Sequence, residues 1–192
     1  MAYSVAVVGT GRVGTALARA LAGAGHEVVL ASRSPAGPSH LGLVVRDIPA
    51  ALNAADAVVL ATPGAAVAPL LEQYGELMRE MAVIDATNSM GGGPMHHADS
   101  AAGLSYYRAF NTLGVENFEP PMFADERADL FYSGPATHQS MVEELIVGVG
   151  LRPVCVGDGL AAADLLDGVT RLWFTLALQQ GYGRHVALRV LT

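Results

Sequence analysis

YSVAVVGTGRVGTALARALAGAGHEVVLASRS, residues 3–34, joins a valine-rich run, glycines in a GxGxxG spacing, an alanine-rich stretch and a second apolar run. Tyr3–Val8 is predicted to be a strand. Gly9-Thr10-Gly11-Arg12-Val13-Gly14 then turns the chain into a helix that continues to about Ala24. Gly25-His26 resets the chain, and Glu27–Ala31 forms a second strand. A right-handed crossover lays the second strand beside the first in parallel, so the stretch is one βαβ unit. Gly9 permits the tight turn, Gly11 lets a pyrophosphate approach the backbone, and Gly14 lets helix and strand pack closely. The anion would rest on free N–H groups at the positive end of the helix. The bland alternative is a glycine turn that binds nothing. A strand before the motif and a helix after it weigh against that.

The end of the second strand faces the adenosine ribose in this architecture. A carboxylate there would accept from both ribose hydroxyls and repel a 2′-phosphate. The chain instead offers Ala31-Ser32-Arg33-Ser34. Arg33 is a forked, permanently charged donor, and Ser32 and Ser34 add two hydroxyls, a set suited to a phosphate and hence to NADP rather than NAD. A solvated loop arginine is the plainer reading of Arg33.

Downstream, strands are predicted over Leu41–Val45, Ala57–Ala61, Met81–Asp85 and Leu104–Phe110, with a brief helix over Asp47–Asn53 and another from Ala65 to about Met78. Several strands are apolar along their whole length, which indicates a mainly parallel sheet covered on both faces: a Rossmann-type, doubly wound α/β fold. Further strands are expected over Ala128–Ser133 and Arg152–Val156, with helix Thr137–Val147 between them. A C-terminal helix follows from about residue 160 to 181. Its Leu165, Leu166, Val169, Leu172, Trp173, Leu176 and Ala177 are read as one broad apolar face, serving as core and dimer seam or capping a flavin-like pocket. No repeat or linker divides residues 1–192, so one domain is expected. Thr62-Pro63, Asp85 to Asn88, and Arg108 to Thr112 all fall at carboxyl ends of strands, where ligands bind in open α/β sheets. Each also has a plainer role as turn chemistry.

Composition narrows the function classes. The net charge of -7 argues against a nucleic-acid scaffold. All eleven basic residues are arginine, so Schiff-base lysine chemistry and P-loop phosphate transfer are excluded. No apolar run reaches the roughly 18 residues of a membrane span. The N-terminus has no basic region of the kind a secretory signal carries, so a cytoplasmic location is expected. Cys155 is the single cysteine, which rules out an internal disulfide and a multi-cysteine metal site. It is read as space-filling within Val154-Cys155-Val156. His96-His97, with Asp99 and Ser100, is read as a polar loop at the site mouth, because neighbouring side chains point in different directions. No metal ligand set is assigned.

The chain resembles the NADPH-dependent reductases of the deazaflavin coenzyme F-420 and the related NADPH-binding domain of six-transmembrane metalloreductases. The resemblance rests on VVGTGRVGTALARALAGAGHEVVLASRS, the strand ends ATP and DATN, RAFNTLG, and DLLDGVTRLWFTLALQQGYG. It implies Gly9, Thr10, Gly11, Arg12 and Val13 around the pyrophosphate, Ser32 and Arg33 at the 2′-phosphate, and Thr62, Pro63 and Asn88 near the nicotinamide. Ala109, Phe110 and Asn111 would border the pocket of the second redox partner. Three departures stand out: a short segment after Ser34, Arg108 where lysine is common, and the loop Ser89-Met90-Gly91-Gly92-Gly93-Pro94.

The implied activity is hydride transfer between NADP(H) and a stacked deazaflavin or flavin, with no catalytic acid, base or metal required. A homodimer would let one subunit close the other's site. The alternatives are an imine or keto reductase related to pyrroline-carboxylate reductase and a non-catalytic NADPH-binding redox sensor.

Overall fold

The computed structural model describes residues 1–35, 42–89, 93–118, 122–123 and 126–192. Strand β1 (Ser4–Val8), helix α1 (Arg12–Gly23) and strand β2 (Glu27–Ala31) reproduce the expected opening unit. Helix α1 presents Gly14, Leu17, Ala18 and Leu21 to the core, the i, i+3, i+4, i+7 spacing of one helical face. It ends where Gly25 adopts φ +92°, a left-handed conformation that glycine takes without steric cost.

Strand β3 is only Val45–Arg46, helix α2 is Ile48–Leu52, β4 is Ala57–Leu60, α3 is Val67–Tyr74, β5 is Ala82–Asp85 and β6 is Ser105–Arg108. These six strands form one parallel sheet in the order β3-β2-β1-β4-β5-β6. This is the doubly wound Rossmann order, in which the chain steps outward from β1 in both directions. The predicted third strand, Leu41–Val45, is shorter and shifted: β3 pairs only with Leu30 and Ala31 at the carboxyl end of β2, and Leu41 lies outside the described residues. Asp47 caps α2 by accepting the Ala50 N–H at 2.8 Å.

The strands alternate by the period of two. Val5, Val7, Val59 and Ile84 face a layer containing Leu17 and Leu21 of α1. Ala6, Val8, Val58 and Val83 face the opposite layer, with Ile48 and Leu52 of α2 and Leu70 and Leu71 of α3. β4 and β5 are buried at every residue, which accounts for their unbroken apolar runs.

The last third adds two small two-stranded sheets. Strands β7 (Met122–Phe123) and β8 (Glu126–Arg127) make a small antiparallel pair, and β9 (Asp129–Tyr132) pairs in parallel with β10 (Arg152–Cys155) across helix α4 (Gln139–Gly148). A single antiparallel bridge, Arg108 to Ser133, links β6 to β9. Cys155 is exposed rather than space-filling; among the described residues β10 pairs with β9 alone.

Helix α5 (Gly159–Phe174) continues into a π-helical turn, Thr175–Gln179. Its buried face differs from the expected leucine stripe. Ala162, Ala163, Leu166, Asp167, Thr170 and Trp173 turn inward, while Leu165 and Leu172 are 54% and 47% exposed. The tail beyond α5 folds back without regular structure. Trp173 Nε1 donates to the Val186 carbonyl at 2.8 Å, Asn117 Nδ2 to that of Arg184 at 3.1 Å, and the Asp129 N–H to that of Leu188 at 3.1 Å.

Candidate active site

The carboxyl ends of β1, β2, β4, β5 and β6 lie along one edge of the sheet, which brings the distant sequence candidates together. The glycine turn is packed as its motif requires. A Cβ on Gly9, whose φ is +126°, would overlap the Ala61 carbonyl, and one on Gly14 would overlap the Gly9 carbonyl. Gly11 is different: among the described residues, a Cβ there would meet nothing within 4 Å. Gly11 also caps α1 with no side chain, and the first turn holds no acidic residue. The helix N–H groups are therefore open to an anion.

Thr10, Gly11 and Arg12 are exposed beside this turn, and Val13 is half-buried. Arg12 reaches across to Glu116 at 3.3 Å, and the same carboxylate oxygen takes Arg184 Nε at 2.8 Å. The hydrogen bond from Arg184, above all, lowers the Glu116 pKa. At the end of β2, the Ser34 N–H donates to Ser32 Oγ at 3.2 Å, a bend that leaves Arg33 exposed between the two serines.

Thr62 and Pro63 end β4. Among the described residues, the buried Thr62 hydroxyl has no hydrogen-bond partner, and the same holds for Asn111 Oδ1, Thr112 Oγ1 and Arg108 Nε at the end of β6. A buried polar atom left unpaired costs about 1–3 kcal/mol. Orphans gathered at this edge suit a ligand that both donates and accepts, as a carboxamide does. With the open helix end and the serine–arginine bend, they fit the two halves of an NADP molecule.

Asn88 makes two internal bonds. Its Oδ1 accepts from Arg108 Nη2 at 2.9 Å, and its Nδ2 donates to the Asn111 carbonyl at 3.1 Å. It ties the end of β5 to the end of β6. Ala109, Phe110 and Asn111 are all buried, and of their side-chain polar atoms Asn111 Oδ1 has no partner among the described residues. Phe110 has φ +61°, a left-handed conformation that is strained for a bulky residue. It sits edge-on to Phe118, ring centroids 5.9 Å apart.

Beneath this edge lies a buried ionic network. The Arg108 guanidinium lies 3.5 Å from Asp85 and 3.4 Å from Asp167, and all three side chains are almost completely buried. Arg108 Nη1 also donates to the Thr87 carbonyl. Asp85 accepts from the Thr87 N–H at 2.9 Å, the Thr87 hydroxyl at 2.7 Å and the Tyr106 hydroxyl at 2.6 Å. Burial, then the Asp85 carboxylate, keeps the Tyr106 phenol protonated far beyond its ordinary range. Asp167 takes the Met95 N–H at 2.5 Å, and Thr170 takes Asn111 Nδ2 at 2.9 Å.

Asp167, Thr170 and Tyr106 were not among the sequence candidates. The available signal was a lone aspartate among Ala163, Leu166, Thr170 and Trp173 on one helical face, since a buried carboxylate demands a partner. Trp173 is a core residue, packed edge-on against Phe174 at 5.4 Å.

The two histidines diverge. His96 is buried, and its Nδ1 accepts the Ala98 N–H at 3.2 Å, which assigns the proton on Nε2 to Asp164, also at 3.2 Å. His97 Nε2 instead meets Ser89 Oγ at 3.1 Å. Among the described residues, His96, Asp164 and Asp167 form one group whose ligand atoms lie within 4.8 Å of one another. The positive charge beside it is Arg108. Met90, Gly91 and Gly92 of the adjoining loop lie outside the described residues.

Residues 4–89 match the family described as coenzyme F-420-dependent NADP oxidoreductases. No match was found among curated proteins. A crystal structure from Arthrobacter sp. FB24, of a protein named for F-420-dependent NADP reduction, is 24% identical, with a TM-score of 0.82 over 99% of this chain and 100% of that one. A hypothetical protein from Sinorhizobium meliloti is 26% identical, with a TM-score of 0.70 over 100% of this chain and 96% of that one. An imine reductase from Streptomyces aurantiacus is 22% identical, with a TM-score of 0.69 over 92% of this chain but 64% of its own. The matched stretch thus sits in a chain whose fold spans the first two structures almost end to end.

Proposed function

We propose that the protein is an NADP(H)-dependent oxidoreductase that passes a hydride between the nicotinamide and a planar acceptor stacked on it, a deazaflavin of the F-420 type or a flavin. The observation that carries the coenzyme choice is the bend after β2, where Ser32, Arg33 and Ser34 stand in place of a carboxylate. The family match of residues 4–89 supports the acceptor class.

In this reading the first turn of α1 and Arg12 hold the pyrophosphate, Ser32, Arg33 and Ser34 the 2′-phosphate, and Thr62 and Asn111 the carboxamide. NADPH supplies the hydride when bound, and the protein contributes orientation and exclusion of water.

Anaerobic stopped-flow mixing of the NADPH-loaded protein with F-420, with FMN and with a cyclic imine tests the acceptor. Rapid NADPH oxidation by F-420 or FMN is expected, and oxidation by the imine alone would overturn the choice. The imine reading is supported by the likeness to the Streptomyces enzyme, of which this chain spans 64%. A homodimer belongs to the same proposal: Leu160, Leu165, Leu172 and Leu178 stand about half exposed along α5 and its continuation, a stripe suited to a second copy. Sedimentation should report a dimer at micromolar concentration, and a monomer would remove this part.

A further inference from the structure

We propose that Ser89 and His97 form a proton-delivery pair at the acceptor end of the site, Ser89 touching the hydride acceptor and His97 serving as its proton source. The proposal rests on the acceptor reading above. Ser89 follows Asn88 at the end of β5 and lies against Gly64, one residue beyond Pro63 at the end of β4. A Cβ on Gly64 would overlap the Ser89 hydroxyl. The hydroxyl therefore sits where these two strand ends converge, on a half-buried residue.

His97 Nε2 is 3.1 Å from Ser89 Oγ, and the residue is held from behind. Its N–H donates to the Tyr106 hydroxyl at 3.0 Å, and that hydroxyl donates to Asp85 at 2.6 Å. His97 is thereby anchored to the buried network, while His96 is turned away to Asp164. The coenzyme placement proposed above uses neither Ser89 nor His97, which leaves the pair to the second substrate.

A hydride arriving on a deazaflavin or flavin ring displaces an electron pair onto a ring nitrogen, and that nitrogen takes one proton. The Ser89 hydroxyl gives this proton as it receives the Nε2 proton of the His97 imidazolium. His97 is left neutral and is reprotonated from solvent. The hydride brings both electrons of its C–H bond, so the acceptor is reduced, the coenzyme is oxidised, and one solvent proton is consumed per turnover.

Burial lowers the His97 pKa, Arg108 and His96 lower it further, and Asp85 and Asp167 oppose them. Tyr106, whose hydroxyl takes the His97 N–H, stays protonated. The lowered pKa makes the imidazolium scarcer near neutrality but a stronger acid. Transfer from NADPH should therefore slow as pH rises, with its midpoint below the ordinary histidine value of 6.5.

The test combines single-turnover transfer to F-420 between about pH 5 and pH 8 with NMR titration of His97 in the coenzyme-loaded protein. The two midpoints should coincide. His97→Gln should abolish the pH-dependent limb and slow transfer at acid pH by about 10- to 100-fold, and Ser89→Ala should do the same. Both variants should still bind NADPH. Wild-type rates and pH dependence in both variants, or a His97 midpoint away from the kinetic one, would overturn the pair alone. A wild-type protein that binds NADPH and passes no hydride to F-420 or FMN would overturn the acceptor reading, and this proposal with it.

Discussion

Replacing Arg33 by Glu should weaken NADPH binding by about a hundredfold or more and leave NADH binding nearly unchanged. Arg33 is exposed at a bend whose two serines flank it, and it offers a planar fork to the 2′-phosphate that NADH lacks. A charge-assisted hydrogen bond contributes about 1.5–3 kcal/mol, so the loss of two accounts for the factor. The new carboxylate adds repulsion of the phosphate and can accept from the ribose hydroxyls of NADH. Fluorescence titration of both coenzymes against wild type and variant reads the difference. Equal losses for the two coenzymes would show that Arg33 does not face the 2′-phosphate.

Replacing Arg108 by Met should destabilise the protein by about 3–5 kcal/mol, the cost of leaving a buried charge without its partner. Arg108 is the cation between Asp85 and Asp167, at 3.5 and 3.4 Å. Methionine would leave two carboxylates in the interior, and Asn88 and Thr87 would each lose a hydrogen bond. For a chain of this size the loss corresponds to a fall of about 6–20 °C in Tm. Adding Asp167→Asn should recover part of it, because only one uncompensated carboxylate would remain. A single variant that melts within about 2 °C of wild type would mean that the network does not hold the strand ends together.

This network was the least legible part of the site. The β1-α1-β2 unit could be read directly because period and punctuation agree: alternating valines, glycines where a side chain would collide, and a helical face at i, i+3, i+4, i+7. The edge candidates followed, because the carboxyl ends of parallel strands share one side of the sheet. Helix α5 misled because its leucines look like a core stripe, yet Leu165 and Leu172 face outward while Asp167 and Thr170 turn inward. Their burial depends on partners 59 residues away, Arg108 and Asn111, and no local period encodes such a pairing. The same holds for the C-terminal tail, which is fixed by scattered bonds to Trp173, Asn117 and Asp129. β3 was overlong in the reading because Leu41–Val45 is apolar, whereas only the end of β2 is available to pair with it.

The most direct test of the central claim follows a label. NADPH carrying deuterium on the transferable C4 position, mixed anaerobically with the protein and F-420, should deliver that deuterium to C5 of the reduced deazaflavin, a carbon-bound position that does not exchange with water. Tight NADPH binding with no deuterium in the acceptor would contradict the proposed hydride transfer to F-420.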